Sequence, residues 1–451
     1  MEVLKNVSLG FLSVCFLFSC GNKVNKEESK STASSGANVQ SPNVVFILSD
    51  DQSWTDYGFM GDENIETPRL DQFSSESLTF TQSYVPTPLC SPSLATIITG
   101  LYPKDHGVLG NDKVYERVSG DRKENRKNRN EAYKPIIEAF EKQTTLPEML
   151  KEKGYLSFQT GKWWHGNHKI GGFDYGMTHG DPKRGGRHGD YGLEIGRKGL
   201  DTINSFVNLA LKEKKPFFLW YAPYLPHRPH NPPQRLLDKY LKKTDSEHMA
   251  KYWAMCEWFD ETCGQLFDLI EAKGQTENTL FVYVCDNGWA QNPKKRGYLK
   301  HSKRAPYDMG IRTPIMYKWK GKITPKMDES TLTSSIDMVP TVLDVLGIDK
   351  PINLPGLSVL DEQKLSERKG IFGEVYAHDF DTVENSIYYN MAIFPPYKII
   401  VPDPVRKKGE NIQLFNIYED PFEKNNIAES KSEKVKELRK KIKEFRANQY
   451  R

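Results

Sequence analysis

The sequence predicts an α/β fold built on a large, mostly parallel sheet, and three observations carry that reading. Residues 43–48 (NVVFIL) and 279–285 (TLFVYVC) are continuous apolar runs, the mark of strands covered on both faces. Residues 216–222 (PFFLWYA) form a third such run. Segments with helical spacing separate them, so strand and helix alternate, as in sheets whose parallel strands are joined by helical crossovers.

The elements follow in order. Residues 1–5 are a short basic start, and 7–19 an apolar run too short to span a bilayer. Together they read as a secretory signal. Leu17-Phe18-Ser19-Cys20-Gly21 resembles a bacterial lipobox, in which cleavage before Cys20 exposes a thiol for lipidation. Residues 22–40 are rich in Ser, Lys and Glu and read as a tether. The expected product is an exported lipoprotein, anchored to a bacterial membrane in the periplasm or at the cell surface. Strand 43–48 ends in Ser49-Asp50-Asp51. Thr67-Pro68 opens a helix to residue 75, because proline suits the first helical turn. Residues 145–153 read as a helix stopped by Gly154, 200–212 as a helix feeding strand 216–222, and 249–273 as a long helix. Strand 279–285 ends in Asp286-Asn287-Gly288. Residues 387–401 hold two strand-like runs split by Pro395-Pro396, and 432–450 is a charged amphipathic helix. The division is a signal over 1–19, a lipidated cysteine and tether over 20–40, a catalytic domain over 41–364 and a smaller C-terminal α+β subdomain over 365–451.

Composition removes several classes. A hydrophobic fraction of 37% with 12% aromatics is too apolar for a wholly disordered chain. The net charge is +4 in 451 residues, so bulk charge gives no reason to expect nucleic acid. Six cysteines in that length are not a disulfide framework. Cys256, Cys263 and Cys285 read as buried thiols.

Ligands of open α/β sheets bind at the carboxyl ends of the strands. Two strand ends here carry hard oxygen donors, Asp50-Asp51 and Asp286-Asn287, which suit Ca²⁺ or Mg²⁺ better than zinc. Asp, Asn and Gly also end strands as plain turn residues, so each pair alone says little. Cys90 precedes Ser91-Pro92-Ser93 and the apolar turn 94–98, which places a thiol at a helix N-terminus, where its pKa is lowered and anions bind. On composition alone, a buried structural cysteine is the better reading.

The stretch from Cys90 to Gly100 (CSPSLATIITG) resembles the signature of the type I, formylglycine-dependent sulfatases of the alkaline-phosphatase-like superfamily, Cys-x-Pro-Ser-Arg followed by a helix ending in Thr-Gly. The resemblance extends over about residues 42–430. It includes Asp50-Asp51, Thr67-Pro68-Arg69-Leu70-Asp71, Gly161-Lys162-Trp163, residues 222–227 (APYLPH), Asp286-Asn287-Gly288, Lys303 ahead of residues 308–314, and residues 414–426 (LFNIYEDPFEKNN). It implies an alkaline-phosphatase-like fold and a sulfuric ester hydrolase. Cys90 would be converted to formylglycine by a formylglycine-generating or sulfatase-maturing enzyme, and the hydrated aldehyde would be the nucleophile. Asp50, Asp51, Asp286 and Asn287, with residue 90, would hold one Ca²⁺. Lys162 and Lys303 would neutralise sulfate oxygens, and His227 would protonate the leaving alcohol.

The chain departs from the family pattern twice. Leu94 stands where the family has arginine, a residue that supports the aldehyde hydrate and is read during maturation. Trp164 stands where Gly-Lys-Trp-His has histidine; His165 or His168 would then serve the nucleophile if the loop bulges, and His165 is preferred. Arg69, Lys104 and Arg312 are the cations considered as stand-ins for the missing arginine. These departures motivate a second reading, an inactive sulfatase-like lipoprotein that binds anionic glycan. A phosphatase or phosphodiesterase of the superfamily is a third, disfavoured because no Asp-x-x-x-His cluster accompanies Asp286. On the substrate side, residues 294–304 are densely basic, and 113–134 and 181–190 read as polar substrate loops. Tyr102, Trp163, Trp164 and Trp289 are aromatic residues available to stack on sugars. The expected substrate is a sulfated polysaccharide or oligosaccharide.

Overall fold

The structure is a computed structural model that describes residues 41–448 apart from 182, 183 and 185. The signal, lipobox and tether lie outside these residues, as do positions 449–450 of the predicted last helix. An eight-stranded sheet organises the body. Its spatial order is Lys326–Asp328, Leu78–Phe80, Ile315–Lys318, Thr279–Cys285, Asn43–Ser49, Phe217–Ala222, Leu156–Gly161 and Tyr175–Gly176. Only Ile315–Lys318 runs antiparallel to its neighbours. The sheet is mixed and mostly parallel, as predicted.

The three apolar runs are the middle of this sheet, and every residue of the strands Asn43–Ser49, Phe217–Ala222 and Thr279–Cys285 is buried. Alternation sends Val44, Phe46 and Leu48 into one core layer and Val45 and Ile47 into the other. The first layer is closed by the helices Cys90–Thr99 and Met338–Val345. The second is closed by Pro68–Ser75, Asp201–Glu213 and Glu247–Ala272. Register levels the strand ends: Ser49 faces Cys285, Ile47 faces Tyr221, and Gly161 faces Ala222. The residues that follow these positions therefore emerge side by side at one edge.

One reading is corrected here. Residues 113–134 do not form a loop throughout, because Arg122–Phe140 is a 19-residue helix. Asp121 caps it by accepting from the amides of Lys123 and Glu124, and Tyr133, Ile136 and Phe140 bury one face. Those apolar anchors lie toward its C-terminal end, and Ile136 and Phe140 fall beyond the polar stretch that suggested a loop.

The C-terminal region is a four-stranded antiparallel sheet, Ile371–Tyr376, Ile387–Phe394, Tyr397–Pro402 and Gln413–Asn416. Leu438 and Ile442 of the helix Ser432–Ala447 pack on its Ala392, Ile399 and Leu414. Backbone links tie this region to the segments flanking the Cys90 helix. Glu374 N donates to Pro86 O at 2.8 Å. Asp379–Phe380 pairs in parallel with Asp112–Lys113. Among the described residues, no helix is long and apolar enough to cross a membrane.

Candidate active site

The predicted residues converge at the carboxyl edge of the sheet. Asp50 and Asp286 follow adjacent parallel strands. Asp51 adopts φ +64, a left-handed turn that departs from the extended alternation and lets consecutive carboxylates share one pocket. Asn287 Nδ2 donates to Asp51 Oδ1 at 2.7 Å. Lys162 leaves the strand Leu156–Gly161, one beyond Phe217–Ala222, through Gly161, which has φ +77 and whose added Cβ would lie 1.7 Å from Ala222 O, so only glycine fits. The Lys162 ammonium then sits 2.6 Å from Asp50 Oδ1 and 2.9 Å from Asp286 Oδ2. Lys303 Nζ lies 2.5 Å from Asp51 Oδ1 and 3.2 Å from Cys90 Sγ.

Cys90 is the first residue of its helix and is 1% exposed. The expectation of a lowered thiol pKa is reversed: burial pushes the thiol up to about 12, although Lys162 and Lys303 pull the other way. The side chain as translated is a neutral thiol. His227 completes the ring. Its Nδ1 is 2.6 Å from Arg228 O, so the hydrogen-bond pattern assigns the hydrogen to Nδ1 and leaves Nε2 facing Asp51 Oδ2 at 3.5 Å. Burial holds its pKa down at about 3, with Asp51 opposing and the two lysines assisting.

The carboxylates are in tension. Burial pushes Asp50 and Asp286 up to about 6; Lys162 pulls both down, while nearby carboxylates raise both. Asp51 is held well below the usual range by Lys303, His227 and Lys162 despite its burial. Asp50 Oδ2, Asp51 Oδ2 and Asn287 Oδ1 are buried without a hydrogen-bond partner. A buried acceptor left unmet costs roughly 1–3 kcal/mol, and these three hard oxygens are of the kind that suits a hard cation. Ligand atoms of Asp50, Asp51, Cys90 and His227 all lie within 4.8 Å of one another. Three carboxylates against two ammonium groups leave one negative charge. A divalent cation turns that into one positive charge, suited to an anionic substrate.

His165 is placed differently from the expectation that it serves the nucleophile. Its Nε2 lies 3.1 Å from Ser91 O and 3.4 Å from Ser91 Oγ, and its ring stacks on Phe140 at 4.1 Å. It props the first turn of the Cys90 helix. His168 Nδ1 bonds Thr178 O instead. Leu94 is buried in the apolar layer, and the three candidate cations are engaged elsewhere. Arg69 pairs with Asp268, Lys104 with Asp105, and Arg312 lies over Trp54 and bonds Thr81 O. Of the four aromatics offered for sugar stacking, Trp163 and Trp289 are sealed at 0% and 1% exposure and Tyr102 packs on Phe445, so core packing claims them.

Sequence reasoning missed His188 and Arg187 as site residues. His188 meets Trp164 edge-on at 4.3 Å, and burial, then Arg187, Lys162 and His227, hold its pKa down at about 3. Arg187 donates to Asn111 O at 2.9 Å and pairs with Asp112, while Asn111 Oδ1 accepts from Ser91 N beside Cys90. The mixed Lys, Arg, His and Gly content of 181–190 was the available signal, but it could not say which side chains turn inward.

The sulfatase family profile matches residues 42–348, and the profile described as N-sulphoglucosamine sulphohydrolase, C-terminal, matches 297–448. The chain is 27% identical over 366 residues to an N-acetylgalactosamine-6-sulfatase from Canis lupus familiaris, covering 71% of this chain and 66% of that one. It is 24% identical over 465 residues to an ulvan-active sulfatase from Formosa agariphila, covering 91% and 80%. The match thus spans just under two thirds of the mammalian relative. In fold, it superposes on a crystal structure of the PsFucS1 sulfatase from Pseudoalteromonas sp. with TM-score 0.68 and 20% identity, covering 90% of each chain.

Proposed function

Because this chain belongs to the sulfatase family, we propose that it hydrolyses sulfate esters of a sulfated polysaccharide or oligosaccharide, with residue 90 as the reacting position. The observation that carries this is the ring of Lys162, Lys303 and His227 around Cys90 above a cluster of oxygen donors. An N-acetylgalactosamine-6-sulfatase and an ulvan-active sulfatase among the relatives support a glycan substrate.

Asp50, Asp51, Asp286 and Asn287, with residue 90, would hold one Ca²⁺. Bound there, the ion supplies Lewis-acid polarisation of a sulfate oxygen. A formylglycine hydrate at position 90 supplies the attacking hydroxyl. The chain's own groups do the rest. Lys162 and Lys303 face the space above residue 90 and neutralise charge on the sulfate oxygens as the ester bond breaks. His227 Nε2 points into the same space, while its Nδ1 is anchored on Arg228 O. The charge of the bound ester offsets the lysines that disfavour protonation, so Nε2 takes a proton and delivers it to the departing alcohol oxygen. His165 holds Ser91, and with it the helix end that presents residue 90. Residues 1–20 would supply the export signal and lipid anchor that bring the protein to extracellular glycan.

The test is co-expression with a formylglycine-generating enzyme, mass analysis of the peptide containing residue 90, and sulfate release from a panel of sulfated glycans. Conversion of Cys90 with release that Cys90→Ala abolishes is the expected result. An unmodified thiol with no release would favour the second reading, an inactive glycan binder, to which Leu94 and Trp164 point. Stoichiometric zinc would favour the phosphatase reading.

A further inference from the structure

Three residues past Asp286, the chain enters a hairpin that the chemistry above does not use. Gln291 bridges Tyr298 in antiparallel fashion, Asn292 N donates to Gly297 O at 2.9 Å, and Leu299 N donates to Ala290 O at 2.8 Å. Its base is fixed by the buried Trp289, whose ring packs on Tyr298 at 4.8 Å and lies beneath Lys303 and Arg228 at 5.8 and 5.0 Å. Its tip is pinned by Ser246 Oγ, which donates to Pro293 O at 2.5 Å.

The hairpin is rigidly mounted, yet its charges are unanswered. Lys294, Lys295 and Arg296 at the tip, with Lys300 and Arg304 on the return, are all exposed. Among the described residues, none of the five has an acidic partner within ion-pair distance. Nearby Lys239 and Lys243, by contrast, are matched by Glu66 and Glu257. Five like charges in eleven residues repel one another, and a fold that places them on one mounted loop without counter-charges leaves a field for an external anion. That field reaches the pocket. Arg296 adds to the burial that holds His230 at about 3, and His230 packs on Trp289 at 6.0 Å.

The geometry points to a second anion-binding subsite on this hairpin, taking a further acidic group, sulfate or carboxylate, on the same glycan chain whose ester sits at residue 90. At about 3.4 Å per residue, Lys294 lies at most roughly 17 Å from Trp289, so one oligosaccharide can reach the hairpin and residue 90 together. The ligand proposed is therefore a polyanionic chain, which can meet several of these charges at once. The link to an ester at residue 90 rests on the sulfatase reading; the binding of polyanion does not.

Anisotropy of fluorescein-labelled dextran sulfate, with neutral dextran as blank, tests this on the purified full chain. The triple variant Lys294→Gln, Lys295→Gln, Arg296→Gln is expected to raise Kd about tenfold at low salt. A control, Lys436→Gln, Lys440→Gln, Lys443→Gln, removes the same charge from the exposed C-terminal helix and is expected to change Kd by less than about twofold. An unaltered Kd in the hairpin variant, equal weakening in both variants, or binding no tighter than neutral dextran overturns the proposal. Labelled polygalacturonate separates the two anions. Weakening for dextran sulfate alone places sulfates on the hairpin, weakening for both places any acidic sugar there, and either supports the subsite. A chain that binds dextran sulfate through the hairpin but releases no sulfate refutes the hydrolase reading and leaves this one standing.

Discussion

Glu374 gives a sharp test of how the C-terminal sheet is docked. Its carboxylate is fully buried, with no salt-bridge partner among the described residues and the Tyr376 hydroxyl beside it. Burial pushes its pKa from an ordinary 4.5 to about 7, with Tyr376, Arg446 and Lys104 pulling the other way. The folded-state value lies above the unfolded one, so the folded protein prefers the protonated acid. That preference is fully present below pH 4.5 and is lost as pH rises through about 7. At about 1.36 kcal/mol for each pH unit, the loss approaches roughly 3 kcal/mol by pH 8. Glu374→Gln fixes the neutral form and removes this dependence. For a body of roughly 400 residues at about 2.1 cal/mol/K per residue, 3 kcal/mol is worth about 3–4 °C of Tm. Tm measured from pH 5 to pH 8 is expected to fall that much further in the parent than in the variant. The contrast between the two curves isolates this group from every other titration. Parallel curves would refute the reasoning, because they would mean that Glu374 titrates alike in the folded and unfolded chains.

The other expectations concern the site. Lys303→Ala in the matured enzyme should lower kcat/KM by about 10²–10³-fold, read by sulfate release. His227→Gln should lower kcat with little change in KM, whereas His165→Phe should lower Tm and leave the pH profile of the residual activity unchanged, because His165 touches Ser91 and not the pocket. Gly161→Ala places a Cβ 1.7 Å from Ala222 O at positive φ, and urea titration should show a loss above about 3 kcal/mol. Calcium at about a hundredfold its Kd should add about 2.7 kcal/mol, visible as a Tm rise that EGTA reverses.

The sheet was legible because its three middle strands are apolar without interruption, and that pattern survives any context. The oxygen donors were legible because they follow those strands directly. The thiol's chemistry was not. A helix N-terminus argues for a lowered pKa, but the burial that overrides it depends on every residue of the helix from Cys90 to Thr99 being enclosed, which only the assembled layers determine. His165 illustrates a second limit. One residue of displacement after Lys162 was visible, yet its outcome turned on Phe140, supplied by a helix hidden behind a polar stretch. His188 enters the site from a loop whose composition carries no periodic signal at all.

The enclosure of Cys90 also fixes an order of events. At 1% exposure, with the C-terminal sheet bonded to segments on both sides of its helix, the sulfur is out of reach of any macromolecule once folding is complete. An enzyme that rewrites this side chain would have to act on the unfolded chain, before the C-terminal sheet closes over it. The half-life of that open chain is then a variable of activity in its own right, and a substitution that merely speeds folding can leave behind a stable, well-formed protein whose residue 90 was never converted.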